Sequence, residues 1–228
     1  MNIIVTCEHA GNNVPDEYSY LFGNDSAAIL ASHRGWDPGA WDLAVYVSDQ
    51  LSLPAYACHT SRLLIEVNRS LHHRELFSPF SSPLSFDEKQ KLIRSVYVSY
   101  REPIERLVTN STEPLLHLSV HTFTPVLDGK IRGMEIGLLF DPERDAERAY
   151  SNLLQAGLER RLPDRVIRFN EPYRGADDGF TTYLRSCALN ERYAGIELEI
   201  NQKLFGTRAW PEIRAALAAT IGDIQAVS

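Results

Sequence analysis

Apolar residues follow two periods along the chain, and the two periods alternate. Short apolar runs, which are typical of buried strands, occur at residues 2–6, 55–58, 62–69, 115–121, 134–140 and 166–170, and residues 193–201 alternate apolar and acidic residues with the period of a strand. Apolar residues three and four positions apart predict helices at residues 27–31, 38–51, 89–108, 143–161, 180–187 and 210–224. The pattern shows no repeat or linker. It therefore predicts a single α/β domain over residues 1–228, a three-layer sandwich around a mixed, mostly parallel sheet.

Side chains at the predicted helix starts define three of these helices more closely. Asp25-Ser26 precedes the first helix and offers capping side chains. Asp37 occupies the N-cap position of the second helix, and Pro38 occupies its first position. Ser85 and Glu88 have the spacing of a capping box, which opens the third helix.

Composition excludes several classes of partner. The net charge is −7 and Lys and Arg form no cluster, so the sequence lacks the basic footprint of a nucleic-acid surface. No apolar run reaches the length of a membrane span, and no leader pattern opens the sequence. Cys7, Cys58 and Cys187 show no paired spacing, which favours a reducing compartment. We therefore expect a cytoplasmic protein without a nucleic-acid or membrane partner.

Polar side chains that can bind a metal follow two of the predicted strands. His9 lies in the turn after the first strand, and His121 ends a later strand. Asp37, at a helix start between them, adds a carboxylate. Open α/β sheets bind ligands at the carboxyl ends of their strands, and a catalytic zinc site needs three such ligands and a free position. Because three ligands suffice, four other histidines are expected to be solvated or supporting residues: His33, His72, His73 and His117.

The last predicted strand carries candidate catalytic chemistry. Its alternation of apolar and acidic residues places Glu197, Glu199 and Asn201 on one face. Glu199 is placed to act as the general base that takes a proton from an activated water. Arg69, beside Asn68 at the end of another predicted strand, offers a two-pronged contact to a substrate carboxylate.

Four short motifs, in this order, resemble the N-formylglutamate amidohydrolase family from residue 4 to about residue 204. The motifs are Cys7-Glu8-His9-Ala10-Gly11-Asn12, Glu66-Val67-Asn68-Arg69, Ser119-Val120-His121-Thr122-Phe123 and Leu198-Glu199-Ile200-Asn201-Gln202. More distantly, their order is similar to that of the zinc carboxypeptidases and of the aspartoacylase and succinylglutamate desuccinylase group. The resemblance implies a phosphorylase/hydrolase-like α/β sandwich and zinc as the metal.

The resemblance also implies roles for individual residues. His9 and His121 would bind zinc, and Glu199 would be the general base and acid. The pair Asn68-Arg69 would hold the substrate carboxylate, and Arg62 would be a second anion contact or an oxyanion stabiliser.

The sequence departs from these families at two positions. Carboxypeptidases place a Glu three residues after the first zinc-binding His, whereas this chain has Asn12, a poor zinc ligand. We prefer Asp37 as the third ligand, and Glu8 and Asn12 remain open. Asn201 stands where the family more often has Arg, which bears on the substrate.

Taken with the candidate metal and base residues, the resemblance implies zinc-dependent hydrolysis of an N-acyl amide bond on a small-molecule acidic amino acid, with N-formyl-L-glutamate the first candidate. Formate and L-glutamate would be the products. Three alternatives remain: a carboxypeptidase or deacylase acting on another N-acyl amino acid or peptide, a non-catalytic metal- or ligand-binding protein, and a thiol hydrolase using Cys7. A purely structural role is also open for Arg62 and Arg69, as ion-pair partners of Glu66.

Overall fold

A six-stranded sheet forms the centre of the molecule. The computed structural model describes residues 1–23, 26–188 and 192–226, so Asp25 lies outside the described residues. Two strands, β4 (Val126–Leu127) and β5 (Lys130–Ile131), form a separate hairpin. The six strands of the central sheet are β1 (Asn2–Cys7), β2 (Ala55–Ala57), β3 (Leu115–Phe123), β6 (Ile136–Leu139), β7 (Ile167–Phe169) and β8 (Tyr193–Asn201). The order is β2-β1-β3-β8-β6-β7, and every pair is parallel except β6 with β8. The predicted mixed, mostly parallel sheet is confirmed.

Helices cover both faces of this sheet. They are α1 (Ala27–Ala31), α2 (Ala40–Leu51), α3 (Phe86–Leu92), α4 (Ser99–Thr109), α5 (Asp145–Arg161), α6 (Phe180–Cys187) and α7 (Ala209–Ala226), and a π-helical segment, Ile93–Val98, joins α3 to α4. α2 and α5 pack against one face of the sheet, α7 packs against both of these helices, and the three together bury the largest apolar cluster. α4 and α6 pack against the other face, on which Phe180 and Tyr193 are buried. The three layers of the predicted α/β sandwich are therefore present. None of the described helices combines the length and apolar composition that a bilayer crossing requires.

The predicted strand at residues 62–69 is wrong. This segment forms turns, in which the N–H of Leu64 donates to the carbonyl of Ser61. Its apolar side chains are buried all the same, in a second cluster with Leu76 and Tyr97. A short apolar run reports burial but does not separate a strand from a buried turn. Asn68 and Arg69 consequently lie in a turn and not at a strand end.

The predicted N-cap at Asp37 is also wrong. Helix α2 begins at Ala40, after Gly39, whose φ of +90° lies in the left-handed region that favours glycine. The predicted Pro38 therefore precedes the helix. Asp37 stays outside the helix, and its buried carboxylate lies beside His9 and His121. The predicted capping box at Ser85 and Glu88 is present, with both of its hydrogen bonds.

Candidate active site and metal centre

Two imidazoles and one carboxylate meet where β1 and β3 end. The N–H of Asp37 donates to the His9 carbonyl (3.0 Å), which fixes the loop before α2 against the turn after β1. His121 lies on β3, which pairs in parallel with β1, so its side chain reaches the same edge of the sheet. Asp37 Oδ2 lies 3.2 Å from His9 Nδ1 and 2.9 Å from His121 Nδ1.

This trio could hold a metal ion. One ligand atom from each of His9, Asp37 and His121 lies within 4.8 Å of the other two, and all three residues are buried. Two imidazole nitrogens and a carboxylate oxygen are donors that zinc accepts, and a three-residue set leaves a coordination position for water or substrate. Among the described residues, this is the one group of His, Cys, Asp and Glu side chains with such spacing.

Electrostatics in the trio favour charged forms in spite of burial. Burial alone would raise the pKa of the Asp37 carboxyl, but the charge of His9 and the hydrogen bond to His121 hold this pKa well below its ordinary value. Burial alone would lower the pKa of His121, but Asp37 and Glu8 raise it well above its ordinary value. The carboxylates thus create a site that attracts positive charge, from protons or from a cation.

Glu199 brings a carboxyl group of a different kind to the same cleft. It lies opposite His121 in the ladder between β3 and β8, and opposite Gly137 on its other side. Burial raises the pKa of Glu199 to about 8, and the nearby charges of Asp37 and Glu197 add to this effect against that of His121. Within the part of the chain that the structure describes, no donor reaches its buried Oε2 atom.

A small polar cleft opens above these residues. Its volume is about 160 Å³. It is lined by His9, Asp37, Arg62, Asn68, Arg69, His121, Thr122, Tyr173, Arg174, Asp177, Asp178, Glu197 and Glu199. All seven site residues that the sequence predicts therefore share one cleft. Three arginines and several carboxylates in one small cavity are suited to a polar substrate that carries charge.

The predicted anion-binding residues already have partners in the protein. The Nε atom of Arg62 donates to Glu66 (2.7 Å), and its Nη1 atom lies 3.5 Å from Asp37 Oδ1. Asn68 Oδ1 accepts from the N–H of Phe180 (2.8 Å), which fixes the start of α6 beside the cleft. Arg69 donates through Nη1 to the carbonyl of Asp178. These contacts hold the three side chains at the cleft wall.

The structure also places the residues that the sequence left as alternatives or assigned no role at the metal. Asn12 donates to the Leu30 carbonyl (3.0 Å), outside the trio. Burial raises the pKa of the Cys7 thiol well above its ordinary value, and Cys7 packs in the main apolar cluster. Asn201 is fully buried and donates to the Met134 carbonyl (2.9 Å), so it holds β8 to the segment before β6. His117 bonds to Thr6 and lies within β3.

Two parts of the site are not among the site residues that the sequence predicts. Glu66 lies 2.6 Å from His9 Nε2, although the sequence indicates it only as an arginine partner. The segment 173–178 supplies four cleft residues from a turn-rich loop that has no periodic pattern. The family motif Glu66-Val67-Asn68-Arg69 contains Glu66 and so could have indicated it. For the segment 173–178, the sequence offers only charged residues in a glycine-containing loop.

Comparison with known protein families identifies the family of this chain. A family model described as N-formylglutamate amidohydrolase matches residues 1–206. The chain belongs to the N-formylglutamate amidohydrolase family. This membership confirms the resemblance that the motifs carry, and it identifies the protein as an amidohydrolase-type hydrolase. In sequence, none of the curated proteins matches the chain.

The fold of this amidohydrolase is also similar to that of proteins with solved structures. The crystal structure of gene product Atu2144 from Agrobacterium tumefaciens is similar, with 26% identity, a TM-score of 0.78, and coverage of 98% of this chain and 92% of that chain. A bacteriophage poly-gamma-glutamate hydrolase is similar in fold, with 12% identity, a TM-score of 0.51, and coverage of 100% and 86%.

Proposed function

We propose that this amidohydrolase uses zinc to hydrolyse the N-acyl amide bond of an acidic amino acid, with N-formyl-L-glutamate as the first substrate. The observation that carries the proposal is the Glu199 carboxyl group. It is buried, has one oxygen without a donor among the described residues, and lines the same cleft as His9, Asp37 and His121. A general base must have an oxygen free to accept a proton at the reacting atoms.

His9, Asp37 and His121 would hold the zinc ion. Their donor atoms suit zinc in chemistry and number, and the unpartnered oxygen of Glu199 in the same cleft fits a base beside the open position. When bound there, zinc would supply Lewis acidity that polarises the acyl carbonyl and makes a water molecule more acidic.

Glu199 would move the proton in both halves of the reaction. As a carboxylate it accepts a proton from the attacking water while the carbon–oxygen bond forms at the acyl carbon. It then donates that proton to the departing amine nitrogen as the carbon–nitrogen bond breaks, so it ends as a carboxylate again. A raised pKa suits a group that must both take and return a proton.

Arg69 and Arg62, with Asn68, would orient the acidic amino acid. A guanidinium can contact both oxygens of a carboxylate, and such contacts fix the scissile bond relative to the base. The small cleft and its arginines favour a short, anionic substrate over a long peptide.

The proposal is tested by formate release from N-formyl-L-glutamate. Protein stripped with a chelator should lose activity and regain it when zinc is added. Full activity in protein shown by metal analysis to be free of divalent cations would refute the zinc requirement.

A substrate panel tests the acidic amino acid separately. N-formyl-L-leucine, which lacks the side-chain carboxylate, should be hydrolysed more slowly than N-formyl-L-glutamate. N-acetyl-L-glutamate tests the size of the acyl group. Equal rates for the leucine and glutamate compounds would contradict a substrate held through its second carboxylate.

A further inference from the structure

Each candidate zinc-binding histidine has a second buried carboxylate on its far side. His9 Nε2 lies 2.6 Å from Glu66 Oε1, and His121 Nε2 lies 3.1 Å from Glu8 Oε2. The Nδ1 atoms of both rings, by contrast, point to one oxygen of Asp37. Each imidazole therefore lies between the Asp37 carboxylate on its Nδ1 side and a second carboxylate on its Nε2 side.

The two backing carboxylates are themselves held in place by other donors. Glu66 accepts from Arg62 Nε (2.7 Å) and from the N–H of Asn68 (3.0 Å). Its side chain is 7% exposed. Because these donors fix both oxygens, the Glu66 side chain cannot move toward the trio without breaking these hydrogen bonds.

Glu8, like Glu66, is held by hydrogen bonds, and it is more deeply buried. It accepts from the hydroxyls of Tyr100 (2.8 Å) and Ser119 (2.6 Å), and its side chain is 0% exposed. Ser119 Oγ also lies 2.9 Å from His121 Nε2. Glu8 thus has a fixed acceptor oxygen beside the ring nitrogen that faces away from the trio.

We propose that Glu66 and Glu8 are positioning residues that fix the tautomers of His9 and His121. Glu66 accepts the Nε2–H of His9. The Nε2–H of His121 faces both the Ser119 hydroxyl oxygen (2.9 Å), which itself donates to Glu8, and Glu8 Oε2 (3.1 Å). Each neutral ring then presents its Nδ1 lone pair to a cation held with Asp37. A neutral imidazole carries one N–H, and the partner of that N–H decides which nitrogen remains free for a metal. This inference rests on the metal centre of the proposed function.

The two carboxylates differ in their connection to substrate. Glu66 also holds Arg62, which lines the cleft, whereas Glu8 is joined to residues below it. Loss of the Glu66 charge should therefore disturb substrate binding as well as zinc binding. Loss of the Glu8 charge should act through His121 alone, with a smaller effect on KM.

The direct test uses the wild-type protein loaded with NMR-active cadmium and carrying isotope-labelled histidine. We expect cadmium to couple to Nδ1 of His9 and His121, and a proton to reside on each Nε2. Coupling to Nε2 of either ring would overturn the inference for that residue. This measurement needs no variant, so it holds even where a substitution prevents folding.

The second test measures zinc affinity by competition with a chromophoric chelator. Glu66→Gln and Glu8→Gln should each lower the affinity by roughly 10- to 100-fold, the usual effect of losing a partner behind a ligand. The matched control is Glu135→Gln, because Glu135 is a mostly buried carboxylate that pairs with Arg165 and Lys203 instead of with a histidine. Its zinc affinity should stay at the wild-type value.

The outcomes separate this inference from the proposed function. If wild type binds zinc and hydrolyses substrate while both variants keep wild-type affinity, the positioning role is wrong and the zinc mechanism stands. If wild type binds no divalent cation, the metal mechanism itself is wrong, and the inference fails with it. Circular dichroism of each variant confirms that an affinity change is not a loss of fold.

Discussion

Strand β3 carries two histidines whose environments make them chemically opposite. His117 and His121 are four residues apart on the same face of the strand, a separation of about 13 Å. Both are buried. Nevertheless, the pKa of His117 is lowered to about 4, whereas that of His121 is raised well above its ordinary value.

The partners of the two rings explain the difference. His117 lies 2.7 Å from the hydroxyl of Thr6 and 2.7 Å from that of Tyr193, with the ring of Phe180 nearby. Neutral hydroxyls satisfy a neutral imidazole, so burial dominates and disfavours the charged form. His117 is therefore a packed residue in the interior of the sheet.

His121 lies near the end of β3, beyond the last residue of β1, where β8 is still paired with β3 on one side and the turn after β1 replaces that strand on the other. The turn after β1 and the loop before α2 bring Glu8 and Asp37 within hydrogen-bond distance of its two nitrogens. Negative charge outweighs burial there. The comparison teaches that position along a parallel strand, more than residue type, separates a structural histidine from a candidate ligand.

The strongest challenge to this comparison is the same substitution at both histidines. His121→Asn should lower zinc affinity by more than the roughly 100-fold expected for loss of a backing residue, and activity should fall with it. His117→Asn should keep zinc affinity but lose about 1–3 kcal/mol of stability, because its hydroxyl partners lose their geometry. Zinc titration and urea unfolding of both variants measure these effects. Loss of zinc binding in His117→Asn would remove the distinction.

Glu199 tests whether the end of the sheet is a reaction site or only a binding site. Glu199→Gln removes the proton acceptor, so kcat should fall by roughly 10²- to 10⁴-fold. Zinc affinity should change far less, since Glu199 is not one of the trio. Formate release and metal content are measured on the same preparation. Unchanged kcat would support a non-catalytic binding protein.

The sequence predicted the fold well because burial and periodicity are local signals. Of the strands that build the centre of the sheet, β1 and β3 appear as apolar runs that end in polar residues, and β8 appears as an alternation of apolar and acidic residues. The segment 62–69 failed because turns can bury the same residues as a strand. Gly39 shifted the start of α2, and only the folded chain shows that the Asp37 carboxylate faces two distant histidines.

The candidate site was predictable where family motifs and strand ends coincide, and less so elsewhere. His9 comes just after β1 and His121 lies near the end of β3, so a parallel sheet brings the two residues to the same edge. Glu66 was not predictable as a partner of His9, because its orientation depends on the turns around it and on Arg62 and Asn68. The same limit applies to the loop at 173–178, whose residues reach the cleft only through tertiary packing.

The pH dependence of the free energy of unfolding tests the lowered pKa of His117. The unfolded imidazole has a pKa of about 6.5 and the folded one a pKa of about 4, so the unfolded state binds the proton first as the pH falls. The contribution of His117 to stability is therefore complete above the unfolded pKa and is lost as the pH falls toward the folded one. Between about pH 7 and about pH 5, wild type should lose about 2 kcal/mol more than His117→Asn. Urea unfolding of metal-free protein tests this, and parallel curves would contradict a neutral buried His117.

The smallest expected effects come from removing one hydroxyl beside each histidine. Tyr193→Phe removes the hydroxyl next to His117 Nδ1 and should cost about 1–2 kcal/mol of stability with zinc affinity unchanged. Ser119→Ala removes the hydroxyl shared by Glu8 and His121 and should weaken zinc binding by less than about 10-fold, because the Glu8 carboxylate remains. Thermal unfolding and chelator competition on both variants give the two readouts. A Tyr193→Phe protein with weakened zinc binding would show that the interior of β3 and its end are coupled, whereas separate effects would mean that the strand carries two independent histidine sites.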